Sequence, residues 1–466
     1  MKSAVSIFWF RRDLRLQDNA GLFQALQSGY PVVPVFIFDR SILDALEDKD
    51  DRRVEFIHQS LSAMQDELTA LGSSLDVRYG TPRQVYEELL KDYEVKAVYT
   101  NHDYEPYAIQ RDQSIGQWLQ QQGCVFHTFK DQVLLEKNEV LKDDGKPYTV
   151  FTPYSRKWKA VLAANPIISY NTKKYFNQFF QQSAKQIPSL ASMGFTAAGI
   201  PFPAKTWKKE LITRYKEQRD IPSLPGTSRL SVHLRFGTIS IRELAKEAGS
   251  LNETFLNELI WRDFYHMILW HFPQVGKGKA FKPEYDTIEW RKDKGEFALW
   301  CEGRTGYPIV DAGMRELNAT GYMHNRVRML VASFLTKNLL IDWRQGEKWF
   351  WDTLVDADVA SNPGNWQWVA GCGVDAAPYF RIFNPLLQGE RFDPRGTFVR
   401  RWLPELAGMP DAWIHRPFEA PEDVLGRASV VLGQSYPRPI VDLKASQRRA
   451  RENFAALPMN RPHSHN

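Results

Sequence analysis

A chain of 466 residues with 43% hydrophobic and 25% charged side chains has the make-up of a soluble globular protein of two or three domains, not of a disordered, fibrous or membrane-spanning one. Its net charge of +5, from 60 Lys+Arg against 55 Asp+Glu, permits a polyanionic partner without requiring one, because phosphate binding depends on how cations cluster. Three cysteines, Cys124, Cys301 and Cys372, cannot pair completely and lack metal-ligand spacing, so a reducing, cytoplasmic setting is expected and a metal site is not.

The N-terminal MKSAVSIFWFRRDLR places three arginines directly after a short apolar run, which reads as a first strand and not as a secretory leader. No apolar stretch approaches the roughly 18 residues of a membrane span. Up to about residue 130, short β-branched or aromatic runs (5–10, 32–38, 75–79, 97–100 and 125–129) alternate with amphipathic patterns. In the 53–71 pattern, for example, Phe56, Leu61, Met64 and Leu68 mark one stripe. This alternation predicts an α/β domain, Rossmann-like in its parallel sheet covered on both faces. No GxGxxG follows the first strand, so a dinucleotide on a Rossmann turn is not expected there.

Residues 131–205 break the pattern with six prolines, and Tyr148, Phe151, Tyr154 and Trp158 are too apolar for a free linker. A long connector draped over the two domains is expected. From 206 to 445 helical periodicity dominates, as in 256–272, 309–317 and 326–340, and predicts an all-α domain. Residues 446–466 read as a polar, frayed tail. Eleven of the 15 tryptophans lie at or after Trp261, so the second half has an aromatic task beyond the first.

On the 256–272 helix, Glu258, Trp261, Arg262 and Tyr265 fall at i, i+3, i+4 and i+7, a stripe too polar for core and too aromatic for ordinary surface. A Glu258–Arg262 salt bridge on a helix edge is the plain explanation. In MHNRVRM, His324 and Arg328 share one face, and Asn325 and Met329 another. An asparagine offers donor and acceptor together, and a methionine is a polarizable neighbour for rings. GTSRLS, residues 226–231, reads as a hydroxyl-rich loop able to cap a helix or hold phosphate oxygens. The 343–383 stretch sets Asp356 and Asp358 beside Asn362, Trp366 and Trp368, a mixture that packing alone does not ask for.

These motifs, with FWFRRDLRLQDN at 8–19, LNELIWRDFY at 256–265, TGYPIVDAGMRELNATGYMHNRVRM at 305–329 and DWRQGE at 342–347, resemble the photolyase and cryptochrome family in order and over nearly the whole chain. The resemblance implies one non-covalent FAD and light-dependent repair of cyclobutane pyrimidine dimers in UV-damaged DNA by a monomer. A cryptochrome-like photoreceptor or a (6-4) photolyase are the alternatives. It implies FAD contacts at Tyr215, Thr227, Ser228, Arg229, Leu230, Ser231, Glu258, Arg262, Asn325, Arg328, Asp356, Ala357, Asp358 and Asn362. Arg328 would pair with Asp356, and Asn362 would face flavin N5.

By the same resemblance, Glu258, Asn325, Met329 and Asn362 serve the reaction, and Trp290, Trp343 and Trp366 carry electrons from the surface to the flavin. DNA would meet Arg219, Glu258, Trp261, Tyr265, Asn325, Arg326, Trp368, Arg381 and Gln388, with Trp261 packed against the extruded dimer. Where (6-4) enzymes carry a histidine pair, this chain has Asn325 and Met329, as the cyclobutane branch does. A second, antenna chromophore is left open. Tyr104-Glu105 is followed by Pro106, Tyr107 and Ala108 in place of the asparagine and glutamate of the folate pattern, so a deazaflavin, a second flavin or an empty pocket remain.

Overall fold

Aliphatic and aromatic side chains in the first 130 residues alternate with amphipathic stripes, and the computed structural model, which describes residues 2–457, turns that alternation into one parallel sheet. Its strands are β1 (Ala4–Phe10), β2 (Val32–Asp39), β3 (Asp76–Gly80), β4 (Glu94–Asn101) and β5 (Val125–Phe129), in the order β3-β2-β1-β4-β5. β1 lies between β2 and β4 and is buried along nearly its whole length, as a strand covered on both faces must be. Val5, Ile7 and Trp9 join Val33, Val35, Val98 and Leu119 in one core.

The chain divides into two compact units. One comprises 1–209 with 229–273, and the other 210–228 with 274–466. The helix Glu253–His271, which carries Glu258 and Trp261, therefore folds with the α/β sheet.

Within the first unit, the charged residues of the 8–19 motif are consumed in building the fold. Arg15 pairs with Asp131 at 2.7 Å, and Arg242, on the helix Ile241–Leu251, pairs with both Asp131 (2.8 Å) and Asp18 (3.1 Å). These groups are almost fully buried, so each carboxylate must be satisfied by a guanidinium, or its desolvation would be uncompensated. The connector is ordered and packed on this unit. A helix spans Phe151–Ala164, Tyr154 and Trp158 are buried, and Phe180 N donates to Val32 O at 2.8 Å.

The second unit is helical around a core that includes Trp300, Val331, Trp343 and Trp366. The periodic run expected at 326–340 is split: a helix ends at Ser333 and continues as a π-turn over Phe334–Asn338. The frayed tail expected from 446 is a correction. A helix runs Leu443–Ala455 with Ser446, Ala450 and Phe454 buried at i, i+4 and i+8, and Arg449 donates to Asn338 O at 2.7 Å. A net-polar helix docks here through one narrow stripe, which average polarity hides. Residues 458–466 lie outside the described ones. Among the described residues no helix is long and apolar enough to cross a membrane.

Candidate functional site

His324 is the N-cap of the helix Asn325–Ser333, and its Nδ1 accepts from Arg326 N at 3.2 Å. Burial pushes its pKa down to about 4, so the ring is neutral. The helix turns Asn325 outward and leaves Met329 half-buried. Arg328 donates from Nη2 to both oxygens of Asp356 (3.2 and 2.9 Å) and from Nε to Met323 O (2.8 Å). Asp356 is buried, as is Ala357. Two residues on, Asp358 holds the turn that leads into the next helix, its Oδ1 accepting from Ala360 N and Ser361 N. The two carboxylates around Ala357 thus have separate partners: one neutralises a guanidinium and the other accepts from backbone amides of the turn before a helix.

That helix, Ser361–Ala370, carries Asn362, Trp366 and Trp368. Asn362 is buried, and its amide nitrogen donates to Glu347 O (3.0 Å) and to Glu347 Oε1 (2.7 Å). Burial raises the Glu347 carboxyl from an ordinary 4.5 to about 7, against the bond from Asn362, which lowers it. Because the folded-state pKa lies above the unfolded one, Glu347 contributes stability that is fully present below pH 4.5 and lost as pH rises through about 7. Glu347→Gln should therefore gain stability relative to the parent across that window, by about 3 kcal/mol at most. Denaturation midpoints of both proteins between pH 4.5 and 8 check this, and parallel pH profiles would contradict it.

Trp343 and Trp366 are buried in the same core, and half-buried Trp290 packs against it, edge-on to Phe454 at 6.0 Å. Trp366 meets Phe350 (5.0 Å) and Trp300 (6.2 Å) at steep angles, and Gly346 lies so near its ring that an added Cβ would sit 2.3 Å from it. Glycine is what lets the 342–347 helix start pass the indole.

A recess of about 410 Å³ in this unit gathers Arg326, Arg381 and Gln388, three of the residues expected at DNA, with Arg391, Asn384, Leu387 and Asp220. Asp220 accepts from Arg326 at 2.7 Å. Arg219 lies 5.2 Å from the Tyr215 ring centre, and Thr227 Oγ1 is 3.3 Å from Tyr322 Oη. Trp368 is half-buried. Neither Thr227 nor Ser228 caps the helix Ser231–Phe236, whose N-cap is Leu230, and Arg229 takes a left-handed φ of 52°. Asp220, Arg391 and Glu347 were not foreseen, because nothing local in the sequence marks them.

In the first unit, Trp261 is half-buried, Tyr265 is buried 5.6 Å from it, and Arg262 donates to Gln132 O and Leu234 O (2.6 and 3.2 Å). Glu258 and Ser231 lie in this unit too.

Residues 255–456 match the model of the FAD binding domain of DNA photolyase, and residues 6–170 match that of DNA photolyase. A deoxyribodipyrimidine photo-lyase of Agrobacterium fabrum is 41% identical, covering 98% of this chain and 99% of its own. The chain belongs to the DNA photolyase family. It is an FAD-dependent lyase of DNA repair. Its fold agrees with that of a bacterial class III photolyase from Agrobacterium tumefaciens (TM-score 0.87, 38% identical, 98% of each chain). It also agrees with an archaeal photolyase from Sulfolobus tokodaii solved with two FAD molecules (TM-score 0.80, 36% identical, 96% of this chain and 99% of that one).

The residues present fit the flavin. Both amide protons of Asn362 are directed at Glu347, so its carbonyl oxygen is the end left to face a ligand. An acceptor suits the N5–H of a reduced flavin. The Arg328–Asp356 pair, with its carboxylate buried and its guanidinium partly exposed, is a fixed charge pair in the same unit.

Proposed function

We propose that this photolyase repairs cyclobutane pyrimidine dimers. The observation that carries this reading is the pair Asn325 and Met329, which stands on the helix where (6-4) enzymes carry a histidine pair, while the neighbouring His324 serves as a helix cap and is held neutral by burial. A site for (6-4) lesions needs a histidine that can give up a proton, and this ring is committed elsewhere. When bound in its reduced form, FAD would supply the one electron that light drives into the dimer, an electron returned to it after the ring splits, so that no net redox change results. The chain's residues bind and orient. In the second unit Arg328, Asp356 and Asn362 hold the flavin, with Tyr215, Thr227 and Ser228 on its phosphates; in the first, Glu258 and Trp261 recognise the extruded lesion. Extrusion costs a few kcal/mol, less where the lesion has already weakened pairing.

Illuminated, flavin-reduced protein should split dimers in a duplex carrying one cyclobutane thymine dimer and leave a (6-4) duplex unchanged; repair of the (6-4) duplex alone would overturn the reading. Glu258→Ala should keep FAD and the fold but lower the repair yield per absorbed photon, since a hydrogen bond to the dimer, worth about 1–3 kcal/mol if it strengthens with developing charge, is gone. Parent-like yield from Glu258→Ala would return Glu258 to a structural role.

The arginine recess is read as the phosphate-binding surface. Lesion affinity should fall with salt at a log–log slope of about 0.9 per phosphate contacted, and Arg326→Glu should weaken damaged and undamaged duplex alike. Asp220→Asn removes the carboxylate that competes with phosphate for Arg326 and should strengthen both. A salt-independent affinity would contradict this assignment.

A cytoplasmic monomer completes the reading, in keeping with three unpaired, buried cysteines; light scattering on the purified protein tests the oligomeric state. A second chromophore in the α/β unit, like the second FAD of the Sulfolobus tokodaii photolyase, would show as more than one flavin per chain or as a further absorbance band.

A further inference from the structure

Trp261 carries a neighbour that its place on the recognition stripe does not account for. The ring of Phe151, first residue of the connector helix Phe151–Ala164, lies on the Trp261 indole with centroids 3.7 Å apart and planes 4° from parallel. Phe264, fully buried, stands edge-on beneath both, 5.9 Å from Phe151 and 5.6 Å from Trp261. Tyr265, buried, lies 5.6 Å from the same indole and is tilted 30° to it. Both Phe151 and Trp261 are half-buried, so the stack has an exposed side.

The Phe151 ring is a fixed wall and not a movable cover. Its helix is fastened to Glu253–His271 one turn at a time: Tyr154 packs on Phe264 at 5.0 Å, Trp158 Nε1 donates to Asp263 Oδ2 at 3.0 Å, and Lys159 pairs with Glu253. Lifting Phe151 off the indole would break these contacts together. An eclipsed stack is not the arrangement two aromatic rings choose when unconstrained, since their quadrupoles favour offset or edge-on contact. Here the two helices impose it.

We propose that Phe151 is a specificity-determining positioning residue, which locks the plane of the Trp261 indole so that its remaining surface meets the extruded pyrimidine dimer without first having to be ordered. This rests on the reading of Trp261 as a lesion contact. A free indole would lose rotamer freedom on binding, a cost that a preordered one has already met. The stack also makes one face of Trp261 inaccessible, so the lesion must meet the surface of the indole that Phe151 leaves open.

The test is a double-mutant cycle on the FAD-loaded enzyme, with binding to a duplex carrying one cyclobutane thymine dimer compared with the same duplex undamaged. Phe151→Ala is expected to weaken lesion binding about three- to tenfold while FAD content and affinity for undamaged duplex stay near the parent's. Phe151→Leu keeps much of the volume and loses the flat ring, and should show the same loss, which covers the case in which the alanine variant folds poorly. Phe151→Tyr should restore binding. In a Trp261→Ala background, Phe151→Ala should cost nothing further. Parent-like lesion affinity in Phe151→Ala and Phe151→Leu would overturn the proposal, as would an equal loss on both duplexes, or a loss that persists undiminished without Trp261. If Trp261→Ala itself leaves lesion affinity unchanged, the reading of Trp261 fails first, and the two failures are told apart by that single variant.

Discussion

Trp366→Phe is expected to slow the light-driven reduction of oxidised flavin at least about tenfold, a change that needs only about 1.4 kcal/mol of added barrier, while enzyme supplied with already reduced flavin still repairs. The two processes draw electrons from different sources. Trp366 sits in one core with Trp343, and half-buried Trp290 packs on that core, so the three indoles proposed to carry the electron lie in a single folded unit. Phenylalanine is much harder to oxidise than an indole, and the step through this position would be lost. The substitution also empties space that Gly346, Phe350 and Trp300 close around, so a modest loss of stability, about 1–3 kcal/mol, should accompany it. Transient absorption after a flash, beside repair by chemically reduced enzyme, separates the effects. Equal loss of both activities would make Trp366 a packing residue.

What the sequence made legible was whatever repeats at short range. The five strands fall within a few residues of the apolar runs that predict them, because strand alternation and helix stripes are local patterns. Arg328 with Asp356 could be paired only because a family resemblance supplied the partner 28 positions away. Where no such guide existed, the partner was missed. Asp220 meets Arg326 across 106 residues, Glu347 takes the Asn362 amide across 15, and Phe151 covers Trp261 across 110. Each is an ordinary residue in its own neighbourhood, and its role exists only in the folded contact. The reverse also occurred. The arginines and aspartates of the 8–19 motif carry part of the family resemblance, yet Arg15 and Asp18 are buried with Asp131 and Arg242 in an ion-pair network that holds the α/β unit together. A buried charge must be paired whatever its function, so clustering of charge in sequence does not distinguish a scaffold from a site.

Asp356→Ala should empty the protein of flavin and destabilise it. The Asp356 carboxylate is buried, and its removal leaves the Arg328 guanidinium with Met323 O as the remaining acceptor among the bonds described above. Breaking a fully buried pair from one side costs about 3–5 kcal/mol, and an exposed pair contributes about 0–1. Because the Arg328 side chain keeps 26% of its exposure, a value of about 2 kcal/mol is expected, read as a shift in the urea midpoint of flavin-free protein. Flavin retention is the sharper measure, because an unpaired cation whose orientation is no longer fixed cannot present the same donors to a ligand. Asp356→Asn keeps the shape and one acceptor oxygen and should fall between the parent and Asp356→Ala in both measures. If Asp356→Ala holds FAD as tightly as the parent while losing stability, the pair is a fold element like the Arg15–Asp131 network, and the flavin takes its charge partner elsewhere in the 325–362 segment.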